Sequence, residues 1–317
     1  MTMPLLFGPY GVPASDDVSR FTDFGANAAW FHGFSPRAFE ICSAGGLEAC
    51  VEFATFRADL DRRPELVPVG VDGRPIRHGA LVQGVCLSQQ PFLDEIEERL
   101  LTGVRAYRPA GVWFDYLTYG GWFETPDPDL QDSCFCPDCI AEFCEATGID
   151  ATTPQEILGS HADQWTDHKC DRVARYAAHY AELVRSHLPG CTIGAYMCPW
   201  TPDEYGGALR RIFAQDYALL APAIDVFTPL IYVAKSGRGA GWGAEFLDRA
   251  GDFVPAGRKV QLILDAMDFP DSLVAVAAAV QPSWGLQMFA GAELFDDPAK
   301  ASIFREAVTR IRSAMTH

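Results

Sequence analysis

The sequence predicts a (β/α)8 barrel. Three observations carry that reading. Eight apolar runs of strand length recur along the chain, stretches of helical period separate them, and the runs are near-continuously apolar, as suits parallel strands buried on both faces. The runs are residues 5–10, 28–34, 47–56, 111–118, 191–198, 225–232, 259–267 and 285–295. With 317 residues and 49% apolar content, the chain can fill one such core, and the simplest reading is a single domain over 1–317.

Taken in order, the second run places Trp30 and His32 on one parity, and the third places Cys50, Glu52 and Ala54 on one. Strand side chains alternate between barrel interior and helix layer, so each set shares a face. A long connection, 57–90, follows; the stretch 81–85 within it is strand-like. Pro91 can open a helix with Phe92, Leu93, Ile96, Leu100 and Val104 as its apolar stripe. The fourth run aligns Trp113, Asp115 and Leu117, and a second long connection, 119–166, leaves it. A helix is expected over about 167–188, stopped by Gly190. The seventh run aligns Gln261, Ile263, Asp265 and Met267; the eighth aligns Gln287, Phe289, Gly291 and Glu293. Asp297-Pro298, a cap followed by a first-turn proline, opens the last helix. Both long connections leave the C-terminal ends of strands, the face on which barrel active sites are built.

Glu52, Asp115, Asp265 and Glu293 thus stand toward the C-terminal ends of separate strands inside apolar segments, with Asp268 just past the seventh. Unpaired buried carboxylates are costly, so a group of them calls for acid–base work, cationic partners or a metal. Arg is nearly absent from these strand ends; Arg57 is the exception. Glycosidic cleavage fits: one carboxylic acid protonates the leaving oxygen and a second carboxylate attacks or activates water. Strands four and seven lie roughly opposite in an eight-stranded barrel, so Asp115 and Asp265 are the leading catalytic pair, with Glu293, Glu52 and the loop residue Glu124 next. Tyr119, Trp122, Tyr196, Trp200 and Tyr232 fall at strand ends or in the following loops, where rings can stack on a sugar, and Trp113 is expected in the core. His32, Glu52, Asp268 and Gln287 complete the expected substrate-binding set.

Cys134-x-Cys136-x-x-Cys139 puts three thiols within six residues. A tetrahedral zinc site takes four N or S ligands, and the fourth is open between Cys86 and Cys144. Cys42, Cys50, Cys170, Cys191 and Cys198 read as small apolar fillers. Ten cysteines without a basic–apolar leader point to a reducing compartment, the cytoplasm. No run of about 18 apolar residues occurs, so no membrane partner is expected. A net charge of −17, scattered rather than blocked, argues against nucleic acid. No organic cofactor is expected; a homo-oligomer stays open.

Pro64-Glu65-Leu66-Val67-Pro68-Val69-Gly70-Val71-Asp72-Gly73, then Cys86, then CFCPDC followed by Ala141-Glu142-Phe143, resembles the central part of glycoside hydrolase family 42 β-galactosidases, over about residues 50–185. The resemblance implies a sugar-acting barrel in which Cys86 joins Cys134, Cys136 and Cys139 on structural Zn²⁺. Gly111-Val112-Trp113-Phe114-Asp115-Tyr116 is similar also to uncharacterised CFC-bearing glycosidase-like barrels. The chain departs from family 42 at strand four, where Asp115-Tyr116 replaces an Asn-Glu pair, and at strand seven, where Asp265 replaces the Glu nucleophile. The expectation is therefore a glycosidase acting on a small glycoside or oligosaccharide. Its rivals are a divalent-metal-dependent sugar isomerase or epimerase, using Glu52, Asp115, Asp265 and Glu293 as ligands, and a non-catalytic sugar-binding barrel.

Overall fold

A computed structural model of the protein describes residues 3–12, 18–78 and 84–316. Residues 81–83 of the expected strand-like stretch 81–85 lie outside the described ones. Eight parallel staves close on themselves: β1 (Leu6–Tyr10), β2 (Ala28–His32), β3 (Glu48–Ala54), β4 (Gly111–Asp115), β5 (Thr192–Met197), β6 (Val226–Ile231), β7 (Lys259–Val260 continued by Leu262–Asp265) and β8 (Gly285–Phe289). Each pairs with its neighbours in sequence, and β1 pairs with β8 to seal the cylinder. The fold is the (β/α)8 barrel the apolar runs predict.

The interior is filled by Leu6, Trp30, Cys50, Trp113, Tyr196, Val226, Ile263 and Trp284. Trp113, fully buried, meets Trp30 edge-on at 5.5 Å and donates its indole N–H to Thr228 Oγ1 at 2.8 Å. That large ring fits only because β5 carries a glycine beside it: a Cβ on Gly194 would lie 2.3 Å from the indole. The larger core lies between staves and helices and includes Phe92, Leu93, Ile96, Leu100 and Val104 from helix α1 (Gln90–Tyr107). The five cysteines read as fillers are all buried.

Every stave but β1 ends earlier than its apolar run, β5 and β6 by a single residue. Tyr116 (φ 54°) and Ala290 (φ 51°) adopt left-handed backbone and stop β4 and β8. Asp265 accepts the N–H of Met267 and starts a 3-10 turn that stops β7, and β2 stops at His32. The connection expected over 119–166 carries two helices of its own, α2 (Pro137–Thr147) and α3 (Pro154–Ser160), and ends where α4 (Ala162–His187) begins, five residues before the expected start. The last helix, α5 (Pro298–Ala314), is capped by Asp297 Oδ1, which accepts from the N–H groups of Ala299 and Lys300.

Candidate active site

The C-terminal ends of the staves enclose a pocket of ≈ 780 Å³. β1 supplies Tyr10, β2 His32 and β3 Glu52; Arg57 follows β3. Asp115 and Tyr116 come from the end of β4, and Trp122 and Glu124 from the loop after it. Tyr196 on β5, Tyr232 and Lys235 after β6, and Phe289 on β8 close the ring. The register sets the depth of the acids: Glu52 pairs with His32 on one side, and Asp115 pairs with Ala54, two residues further along β3.

Glu52 is only 2% exposed. Its Oε2 accepts from Tyr10 Oη at 2.8 Å and contacts His32 Nδ1 at 2.5 Å, while its Oε1 is buried with no partner among the described residues. The hydrogen bond to Glu52 raises the His32 pKa above the usual histidine value, against the opposing effect of burial. Burial, reinforced by the charge of Glu52, pushes the Tyr10 phenol well up.

Asp115 has a pKa raised well above the ordinary carboxylate range. Burial is the main cause; the charges of Glu52 and Glu124 add to it, and the Tyr116 N–H and Arg57 oppose it. Glu124 is also raised, again chiefly by burial, with Lys235 pulling it down and Asp265 pushing it up. Trp122 and Asp129 exchange backbone hydrogen bonds of 3.0 and 2.8 Å, so Glu124 rides on a small hairpin. Pro126 of that hairpin packs on Gly237 (φ 63°), two residues beyond Lys235; a Cβ there would stand 3.2 Å away. The ammonium of Lys235 lies 3.7 Å from Glu124 Oε2 and 3.0 Å from Asp265 Oδ2, over the rings of Tyr232 and Phe289.

Six residues expected at the site stand elsewhere. Asp265 is 3% exposed and does not line the pocket; Met267 N–H and Lys235 occupy its two oxygens, because β7 ends there and its side chain turns back to cap the next turn. Glu293 is exposed on the 3-10 turn Ala292–Asp296, since Ala290 ends β8 and breaks the alternation that would have turned it inward. Asp268 accepts from the N–H groups of Val233 and Ala234, fixing the loop before Lys235. Gln287 lies fully buried below the mouth, in a ladder that joins Tyr196 Oη, Gln261 and the carbonyl of Leu6. Tyr119 points into the helix layer, against Lys169 and Arg172. Trp200 is buried under Tyr205 and against Phe213. Tyr10, Tyr116 and Lys235 line the pocket without having been expected there. Tyr10 closes an apolar run like any core tyrosine; the "Tyr-Val-Ala-Lys" that brings Lys235 to the mouth carries no pattern.

Below the hairpin, the thiols of Cys86, Cys134, Cys136 and Cys139 lie within 4.8 Å of one another. Cys144 is turned away, toward the carbonyl of Ala151, so the fourth thiol of the cluster is Cys86, as the resemblance implied. Cys134 Sγ accepts from the N–H of Val69, Cys136 Sγ from that of Cys139, and Ser88 Oγ lies 3.0 Å from Cys139 Sγ. Phe135, Phe143, Ile157 and Trp165 wrap the cluster in its own small core. Among the described residues it is the one group of three or more Cys, His, Asp or Glu whose ligand atoms converge; the carboxylates of the barrel mouth do not form such a group.

No protein-family model and no curated protein matches the chain. Among solved structures, the glycoside hydrolase domain of PgaB (BpsB) from Bordetella bronchiseptica matches with TM-score 0.70 at 13% identity, over 92% of this chain and 92% of that one. A β-galactosidase from the haloarchaeon Halorubrum lacusprofundi matches with TM-score 0.67 at 14% identity, over 100% of this chain and 58% of that one. A GH42 β-galactosidase from G. stearothermophilus gives 0.67 and 14%, over 98% of this chain and 56% of its own. The chain spans a little over half the length of those β-galactosidases. At these identities the likeness is one of fold: the barrel is of the kind those hydrolases use.

Proposed function

We propose that the chain is a glycosidase-like hydrolase acting on a small carbohydrate at the barrel mouth. The observation that carries this reading is the pair Asp115 and Glu124: two carboxyl groups that line one pocket, each with its pKa raised by burial. Glycoside cleavage needs one carboxyl protonated at working pH and one ionised. Asp115 is raised by burial and makes no ion pair among the described residues, so in this reading it holds the proton and delivers it to the leaving glycosidic oxygen. Glu124 has Lys235 beside it, which favours its carboxylate, and it supplies the negative charge that attacks the anomeric carbon or takes a proton from water. Glu52, anchored by Tyr10 and His32, forms part of the pocket wall that a sugar would meet. Trp122 and Tyr232 offer ring faces to the apolar side of a sugar. That solved barrels of this architecture include glycoside hydrolases supports the reading.

The four thiols fit a structural zinc ion. A tetrahedron with Zn–S of about 2.3 Å has edges of about 3.8 Å, and Cys86 Sγ lies 3.7 Å from the sulfurs of both Cys136 and Cys139. Four ligands leave no open coordination position, so the ion would fix structure rather than act on substrate. Here it would pin the far end of the loop that carries Trp122 and Glu124.

The test is a screen of aryl glycosides and short oligosaccharides with product anomers followed by NMR. Turnover that is lost in Asp115→Asn supports the proposal. Absence of any turnover by the metal-loaded protein, or isomerised rather than hydrolysed product, overturns it.

A further inference from the structure

Arg57 lines the pocket with no acid in contact with it among the described residues. His32 faces Glu52, and Lys235 lies between Glu124 and Asp265. The Arg57 guanidinium lines the same pocket, yet among the described residues it makes no hydrogen bond and no ion pair. It is held on one face only, 5.3 Å from the ring of Tyr116. Tyr116 reaches that position through a left-handed backbone (φ 54°) at the point where β4 stops, a conformation that a non-glycine residue keeps only where the surrounding structure enforces it. The charge of Arg57 favours ionised Asp115, but burial outweighs it and holds the Asp115 pKa well above the ordinary carboxylate range. A guanidinium over a ring, with its N–H fork unused, matches the planar two-oxygen geometry of a carboxylate. An anionic substituent on a bound sugar would give that fork the partner it lacks.

Resting on the hydrolase reading above, we infer that the substrate carries a carboxylate, that is, a uronic acid residue, and that Arg57 reads it.

The test compares binding and turnover on the full-length, metal-loaded protein. Glucuronate, galacturonate and mannuronate are titrated against glucose, galactose and mannose by NMR or calorimetry, alongside their 6-sulfated counterparts. Aryl uronides are then compared with the matching neutral glycosides. A charge-assisted bidentate contact predicts that at least one uronate is preferred over its neutral counterpart by roughly 10- to 100-fold. Arg57→Met should abolish that ratio, and Arg57→Lys should retain only part of it, with the melting temperatures of both checked against wild type. Equal binding of uronates and neutral sugars, a preference for the sulfated sugars over the uronates, or a ratio that survives in Arg57→Met overturns the assignment. Binding is measured independently of turnover, so a uronate preference without hydrolysis supports this inference while counting against the hydrolase. Hydrolysis of neutral glycosides alone does the reverse.

Discussion

Lys235 Nζ stands 3.0 Å from Asp265 Oδ2, at the base of the wall that carries Glu124. Asp265 therefore acts on the pocket through the lysine. It fixes an ammonium that is also held over Tyr232 and Phe289, and the ammonium in turn favours the charged form of Glu124. Lys235→Met should leave the buried Asp265 without its cation and destabilise the protein by about 1–3 kcal/mol. It should also raise the pKa of Glu124 further, moving the acid limb of the pH–rate profile upward. Adding Asp265→Asn to that variant should recover stability without recovering rate. Denaturant melts and pH–rate profiles of the single and double variants check both outcomes.

Asp115 gives the protein a pH dependence of definite sign. Its folded pKa lies above its unfolded value, so the native state keeps a proton that the unfolded chain releases. Its contribution to stability is complete below the ordinary carboxylate range and declines as pH rises toward the folded pKa. Asp115→Asn should remove that slope and make the protein no less stable at neutral pH. Melting temperatures taken across pH 4–9 test this; a variant whose melting temperature falls in parallel with wild type contradicts it.

Rate should follow the same groups. With Asp115 required protonated and Glu124 required ionised, kcat/KM should be bell-shaped, and both limbs should lie above ordinary carboxylate values because both pKa values are raised. A profile that is flat from pH 5 to 9 contradicts the assignment.

The barrel was legible in the sequence because each stave is apolar throughout and each long helix shows its stripe. Stave ends were less legible. The apolar runs continue past Asp115 and Phe289, and only the backbone of Tyr116 and Ala290 reveals that the strands have stopped. Alternation carried past those points misassigned Glu293, whereas Glu52 and Asp115, inside or at the end of true strand, do reach the pocket. The loop rings divided according to burial that no local pattern encodes: Trp122 lines the pocket, while Tyr119 and Trp200 pack beneath the loops. Lys235 went unread because its role depends on where the loops after β4 and β6 meet, at Pro126 and Gly237.

Cys136→Ser should abolish binding of one zinc per chain and lower the melting temperature. The loop it releases carries Glu124, so kcat should fall as well, by more than the small loss of folded protein explains. Metal analysis, thermal melts and steady-state rates on one preparation separate these effects. Full metal content in the variant contradicts the four-thiol site.

Trp122→Ala removes a ring from the pocket wall. A stacking contact of about 0.5–1.5 kcal/mol predicts a KM raised roughly 2- to 10-fold with kcat little changed. A change confined to kcat would mean that the ring positions Glu124 rather than the sugar.

The central claim is that Asp115 and Glu124 act together on one bound glycoside. Its most direct test is kcat/KM for Asp115→Asn and Glu124→Gln on a hydrolysed aryl glycoside, with folding monitored in parallel. General acid–base and nucleophilic roles predict losses on the order of 10²–10⁴ for each, with melting temperatures near wild type. A variant that folds normally and keeps its rate within a few-fold of wild type, at either position, contradicts the claim.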